Sequence, residues 1–221
     1  MASPAWGEDA PADGPVLARN VRGVLAQLAS QAHLRQQPHV TMAHDWHRAI
    51  YAGVSSVPGP QFLGAFRGSA HPHLRGYSVV LADGRGRVLA QGLPPHDVAA
   101  RLAVLDTSVK TAVATLDQLI PVAGKPADAA ELEAVVTLCA VLHGEWVLVH
   151  PYANGNGRTA RVWANWASLR YGLPPFVRIK PRPDGLLYPR AAARSMGHPP
   201  HWQGDHQLTF SLFLDLLRAH P

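Results

Sequence analysis

The most apolar helical pattern in the chain begins after Asp128 and runs through Leu132, Val135, Val136, Cys139, Leu142 and Trp146, at spacings of three and four residues. Asp128 followed three residues later by Glu131 has the form of a capping box and marks its start. So apolar a helix has to be enclosed by others, so it belongs at the centre of the fold.

Amphipathic patterns elsewhere supply the enclosing elements. Leu17, Val21, Val24, Leu25 and Leu28 mark a helix over about residues 16–35, which Pro38 ends. Thr41 reads as the N-cap of a second helix with Met42, Trp46 and Ile50 inward, closing at Gly53. A third follows Pro94-Pro95 and carries Val98, Leu102, Leu105 and Val109 to about residue 120. Residues 158–171 form a helix with Val162, Trp166 and Leu169 inward, and two more cover about 186–196 and 207–219. Residues 54–95 differ, with Gly and Pro punctuation around two extended runs at 77–82 and 88–91. Asp83-Gly84-Arg85-Gly86 between them predicts a β-hairpin. The expected fold is an all-α bundle with one protruding hairpin.

At 221 residues the chain suits one core, expected over residues 16–221, with residues 1–15 as a poorly ordered lead-in lacking apolar periodicity. Cys139 is the single cysteine, excluding an internal disulfide, and its place on the apolar helix makes it a buried thiol without chemistry. The formal charge of +5 comes mostly from scattered arginines without a Lys/Arg block, which disfavours nucleic acid as a partner. No positively charged and apolar leader opens the sequence, and no run approaches the ~18 apolar residues of a membrane span. A cytoplasmic protein with no membrane partner is expected.

The informative segment is His150-Pro151-Tyr152-Ala153-Asn154-Gly155-Asn156-Gly157-Arg158-Thr159-Ala160-Arg161, between the apolar helix and the next. Gly155 and Gly157 allow a tight turn that brings backbone N–H groups to a ligand, and the following helix aims its positive end at the same point. Arg158 and Arg161 lie three apart on one face, where both can reach phosphate oxygens. His150, at the other lip of the turn, is an imidazole able to take a proton from a hydroxyl at neutral pH. Alone, that histidine would read as a core or surface residue and the two arginines as a solvated helix face. Together they outline a polyphosphate site with a base beside it.

These residues resemble the signature of the Fic family, His-Pro-Phe-x-Asp/Glu-Gly-Asn-Gly-Arg-x-x-Arg. Seven positions match, and Tyr152 stands for Phe. A chance match is on the order of 10⁻⁹ per start position. The resemblance implies an all-α fold with a β-hairpin flap and transfer of part of a nucleotide, usually AMP from ATP, to Ser, Thr or Tyr of a target protein docked at the flap. It implies His150 as general base, Asn156 at the α-phosphate, Gly155 and Gly157 as the anion nest, and Arg158 and Arg161 on the β and γ phosphates. His143, the borders Gly64–Arg67 and Pro94-Pro95, and Tyr188 at the adenine pocket are similar to flanking family features. Related donors or groups, such as UMP, phosphocholine or phosphate, are the alternative, as is a silent nucleotide-binding module.

Two departures stand out. Asn154 occupies the position where the family usually has an acid for Mg²⁺, so its amide oxygen is the weaker candidate ligand. No Ser/Thr-x-x-x-Glu-Gly/Asn inhibitory motif occurs, which leaves control to a separate inhibitory partner, another mechanism or none. The remaining histidines, including His44 and His47, make no zinc pattern, and the tryptophans read as packing residues.

Overall fold

A computed structural model describes residues 6, 10–82 and 88–220. Among them, helices α1 (Gly14–Gln31), α2 (Met42–Tyr51), α3 (Val98–Leu119), α4 (Ala129–Val149), α5 (Asn156–Arg170), α6 (Leu187–Met196) and α7 (Gln207–Arg218) form an all-α bundle. Strands β1 (Val80–Ala82) and β2 (Val88–Gln91) pair antiparallel beside it.

Helix α4 is the hub, packing against α3, α5, α6 and α7. Its second half is largely buried, from Leu138 and Cys139 through Leu142 and Trp146 to Val149. This goes beyond the single stripe expected, and the polar side chains in that half are partnered, His143 with Tyr188 and Glu145 with Arg101 and His206. With 21 residues and a mean hydropathy of 1.7, α4 has the length and composition to cross a membrane, contrary to the expectation that nothing approached a span. The bundle buries 67% of that stretch. Glu131 N–H donates to Asp128 Oδ1 (2.9 Å), and Glu131 Oε2 accepts from the Ala127 amide (2.7 Å), so the cap reaches one residue further back than a capping box.

Thr41 does not cap α2. It already has helical angles, and its hydroxyl pairs with His39 Nδ1 at 2.7 Å. Within residues 1–15, a short 3-10 turn at Pro11–Asp13 leads into α1 at Gly14. Asp13 is buried and accepts from Ser55 N–H (2.8 Å), Ser55 Oγ (2.7 Å) and Ser56 N–H (3.0 Å), tying that end to the segment after α2.

The first strand is shorter than its sequence pattern, because Tyr77 N–H closes a turn onto the Leu74 carbonyl and only Val79 onward meets the partner. Val80 pairs with Gln91 and Leu81 with Ala90, with an irregularity before Ala82 and Val88. The expected turn at 83–86 lies outside the described residues. Gly92 N–H donates to the Val79 carbonyl (3.0 Å), and a Cβ on Gly92 would stand 2.9 Å from His150 Cβ, so the base of the β1–β2 pair abuts the end of α4.

Candidate active site

Helix α4 terminates at His150, whose φ of 47° and ψ of 57° place it in the left-handed region. A helix C-terminus presents carbonyls with no intrahelical partner, and a β-carbon-bearing residue in this conformation has to be held there. Arg67 does so. Its guanidinium donates to the carbonyls of Val149 (2.6 Å) and His150, and its own amide donates to the Pro151 carbonyl (2.8 Å). Arg67 is 1% exposed, and burial pulls its pKa down to about 10, leaving it charged at neutral pH. Sequence reasoning marked Arg67 only as a border of the flap, since no local pattern shows that it will be drawn inside.

The His150 ring donates from Nδ1 to the Val147 carbonyl. A carbonyl can only accept, so the proton sits on Nδ1 and the Nε2 lone pair remains for other work. Burial lowers the pKa of His150 to about 4, Arg67 adds to the lowering, and the Val147 carbonyl opposes it. The imidazole is therefore neutral at physiological pH.

After His150 the loop folds on itself through Asn156. Tyr152 N–H donates to Asn156 Oδ1 and Asn156 Nδ2 donates to the Tyr152 carbonyl, both at 2.8 Å. The side chain expected at an α-phosphate is thus first a clamp on the loop, with one amide hydrogen left over. Gly155 has φ 79°, and a Cβ there would meet Tyr51 Oη at 2.5 Å, so both conformation and space require glycine. Gly157 differs from expectation: it sits inside the first turn of α5, and a Cβ would come no closer than 3.4 Å to Arg161 Nη1. The first intrahelical bond of α5 runs from Thr159 N–H to the Gly155 carbonyl (3.0 Å), so the amides of 156–158 precede it and form the positive end of the helix.

Arg158 and Arg161 are both buried and both line the same cavity, as their spacing predicted. Their geometry was not legible. Arg158 Nη1 donates to Tyr51 Oη (2.7 Å), with the guanidinium over that ring. Arg161 donates from Nε (3.1 Å) and Nη2 (2.8 Å) to the Ile179 carbonyl and from Nη1 to Tyr188 Oη (2.7 Å). Tyr188 in turn meets His143 Nε2 at 2.8 Å, which links both flanking residues of the sequence reading to the arginine.

His47 is a residue the sequence reading passed over as part of a non-zinc pair. It accepts from the Gly64 amide at Nδ1 (3.1 Å) and donates from Nε2 to the Asn154 carbonyl (3.0 Å), with its pKa lowered to about 4 by burial. Its signal was the four-residue spacing to Tyr51 on the inner face of α2.

The cavity encloses about 670 Å³, a size suited to a small-molecule ligand. Val79, Val80, Val147, Ile179, Tyr188 and Ala192 supply apolar surface, and His150, the α5 N-terminus, Arg158, Arg161, Lys180 and Arg182 supply the polar wall. A Mg²⁺ site does not follow from these residues. Among the described residues no carboxylate lines the cavity, and Asn154 Oδ1 already accepts from Gly155 N–H (2.7 Å) while its Nδ2 donates to the Trp6 carbonyl (3.0 Å). Hard cations prefer charged oxygens, which this donor set lacks.

The family model of the Fic/DOC family matches residues 39–168. The chain is similar to the "Protein adenylyltransferase fic-1" of Caenorhabditis elegans, 50% identical over 38 residues, which is 17% of this chain and 8% of that protein. It is similar also to a "Uridine 5'-monophosphate transferase" of Xanthomonas campestris pv. campestris, 48% identical over 40 residues, 18% of this chain and 8% of that protein. A third relative, the "Protein adenylyltransferase Fic" of Nematostella vectensis, is 39% identical over 54 residues, 24% of this chain and 13% of its own length. These matches thus span well under a fifth of each curated relative. A Fic-domain-containing signaling protein of Bacteroides thetaiotaomicron shares the fold, with a TM-score of 0.61 at 20% identity over 92% of this chain and 68% of that one.

Proposed function

The chain belongs to the Fic/DOC family, and from that premise we propose that it transfers AMP from ATP to a Ser, Thr or Tyr hydroxyl of a target protein. The observation that carries this reading is the orientation of His150. Its Nδ1 proton is spent on the Val147 carbonyl, which leaves Nε2 unprotonated, and the residue lines a cavity walled by the N-terminus of α5 and two buried arginines.

In the proposed reaction Nε2 takes the hydroxyl proton while the hydroxyl oxygen forms a bond to the α-phosphorus. The bond from that phosphorus to the bridging oxygen breaks, and pyrophosphate departs with the electron pair. A pKa near 4 makes His150 a weak base in the empty site, but bound phosphate beside it favours the imidazolium and raises that value toward the working range. Arg158, Arg161 and the helix N-terminus meet the charge on the phosphates, and Tyr188 with Val147 offers the base an apolar wall. Base catalysis supplies about 3 to 5 kcal/mol, with positioning and charge stabilisation contributing the rest. The hairpin offers β1 as an edge on which an extended target segment pairs, one strand away from His150.

Incubating the chain and a cell lysate with ATP labelled at the α-phosphate is expected to label protein, and His150→Ala to abolish the label. Equal labelling by that variant would remove His150 from the reaction. The relative that carries the uridine 5'-monophosphate transferase name favours UTP as the second reading, and parallel incubation with α-labelled UTP separates the two.

A further inference from the structure

The cationic wall of the cavity extends beyond the signature. The segment after α5 is riveted to that helix: Asn165 clamps Val177 by accepting its N–H (3.0 Å) and donating to its carbonyl (2.7 Å), and Arg161 holds the Ile179 carbonyl. Lys180 is the first residue past these anchors and Arg182 follows two later, and both line the cavity with Arg158 and Arg161. Four cationic side chains therefore wall a space that no described carboxylate enters. A nucleoside triphosphate carries a charge of about −4 at neutral pH and about −2 once it holds a divalent cation, so the stronger attraction is to the metal-free form.

We propose that this cavity takes nucleoside triphosphate without a divalent cation, with Lys180 and Arg182 neutralising the phosphate charge that a protein-held metal would otherwise meet. The proposal rests on the nucleotide reading above, and adds to it two binding residues and a metal-free ligand. It follows from the same feature that sets Asn154 apart. The position holds an amide, and both ends of that amide are engaged by Gly155 and Trp6. The two further cations stand on a segment that the arginine helix itself positions.

Calorimetric titration of the full chain with ATP, once in EDTA and once in excess magnesium chloride, tests this. The dissociation constant in EDTA is expected to equal or fall below that in magnesium. Lys180→Ala and Arg182→Ala are each expected to weaken ATP about tenfold in EDTA, the scale of one lost charge-assisted contact, with unchanged unfolding midpoints. Binding at least tenfold tighter with magnesium would overturn the metal-free site and leave the nucleotide reading standing. Metal-free binding indifferent to both substitutions would overturn the role of the two cations. Absence of ATP binding in both media would overturn the nucleotide reading together with this one.

Discussion

Three histidines are folded into this protein as neutral groups, and this makes its stability steeply dependent on pH. Burial lowers His47 to about 4, His150 to about 4 and His143 to about 3. In the unfolded chain each returns to about 6.5. The folded values lie below the unfolded ones, so between pH 6.5 and about 4 the unfolded state binds more protons. The stabilisation is complete above pH 6.5 and is lost as pH falls. At pH 5 each histidine costs about 2 kcal/mol, and the three together about 6 kcal/mol if they act independently. Asp106, Asp117 and Glu145 are all held below the usual carboxylate range, by the Lys110 contact, by Arg170 with Arg35, and by His206 with Arg101 respectively, so they remain ionised at pH 5 and do not mask the effect. Against a total of about 5 to 15 kcal/mol, a loss of this size brings the fold near its limit. Urea unfolding followed by tryptophan fluorescence is expected to show a midpoint about 2 M lower at pH 5 than at pH 7. His143→Phe removes one titrating group and is expected to shrink that difference by about a third. Midpoints within about 0.3 M of each other would refute the reasoning, since urea slopes of this order could not conceal several kcal/mol.

Because His150 is neutral in the empty site, kcat/KM for ATP is expected to hold level from pH 8 to pH 6, where a histidine of ordinary pKa would already be about three-quarters protonated, while kcat follows the higher pKa of the nucleotide-bound site. A kcat/KM profile falling through 6.5 would contradict the burial of that ring. Arg67→Met strips two carbonyls of their partner in the strap over the end of α4, and denaturant titration is expected to show a loss on the order of 3 kcal/mol, with label transfer reduced more than ATP binding. Gly155→Ala forces a side chain into the left-handed region and against Tyr51, so both the melting temperature and nucleotide affinity are expected to fall, by about 1 to 3 kcal/mol in stability. Normal values for that variant would mean the turn has room to relax.

Local information carried the helices and the outline of the site. Helix α4 is legible because apolar residues at three and four spacing, opened by Asp128, admit one arrangement in water, and the same holds for the inward face of α3. The run from His150 to Arg161 is contiguous, so the turn, the helix start and the shared face of the two arginines follow from spacing alone. Thr41 shows the limit of such reading: a residue type suited to capping leaves that role once a neighbour, His39, takes its hydroxyl.

Tertiary structure decided the rest, because the groups that tune the site come from distant parts of the chain. Arg67 is 83 residues from the His150 carbonyl it holds, His47 is 107 from Asn154, and Tyr51 is 107 from Arg158. Whether an imidazole is neutral, which of its nitrogens keeps the proton and whether an arginine is pinned depend on burial and on partners brought in by folding. A sequence specifies the chemical types along one segment, whereas the dielectric and the hydrogen-bond partners around them exist only once α2, the β1–β2 pair and the segment carrying Lys180 have closed over that segment.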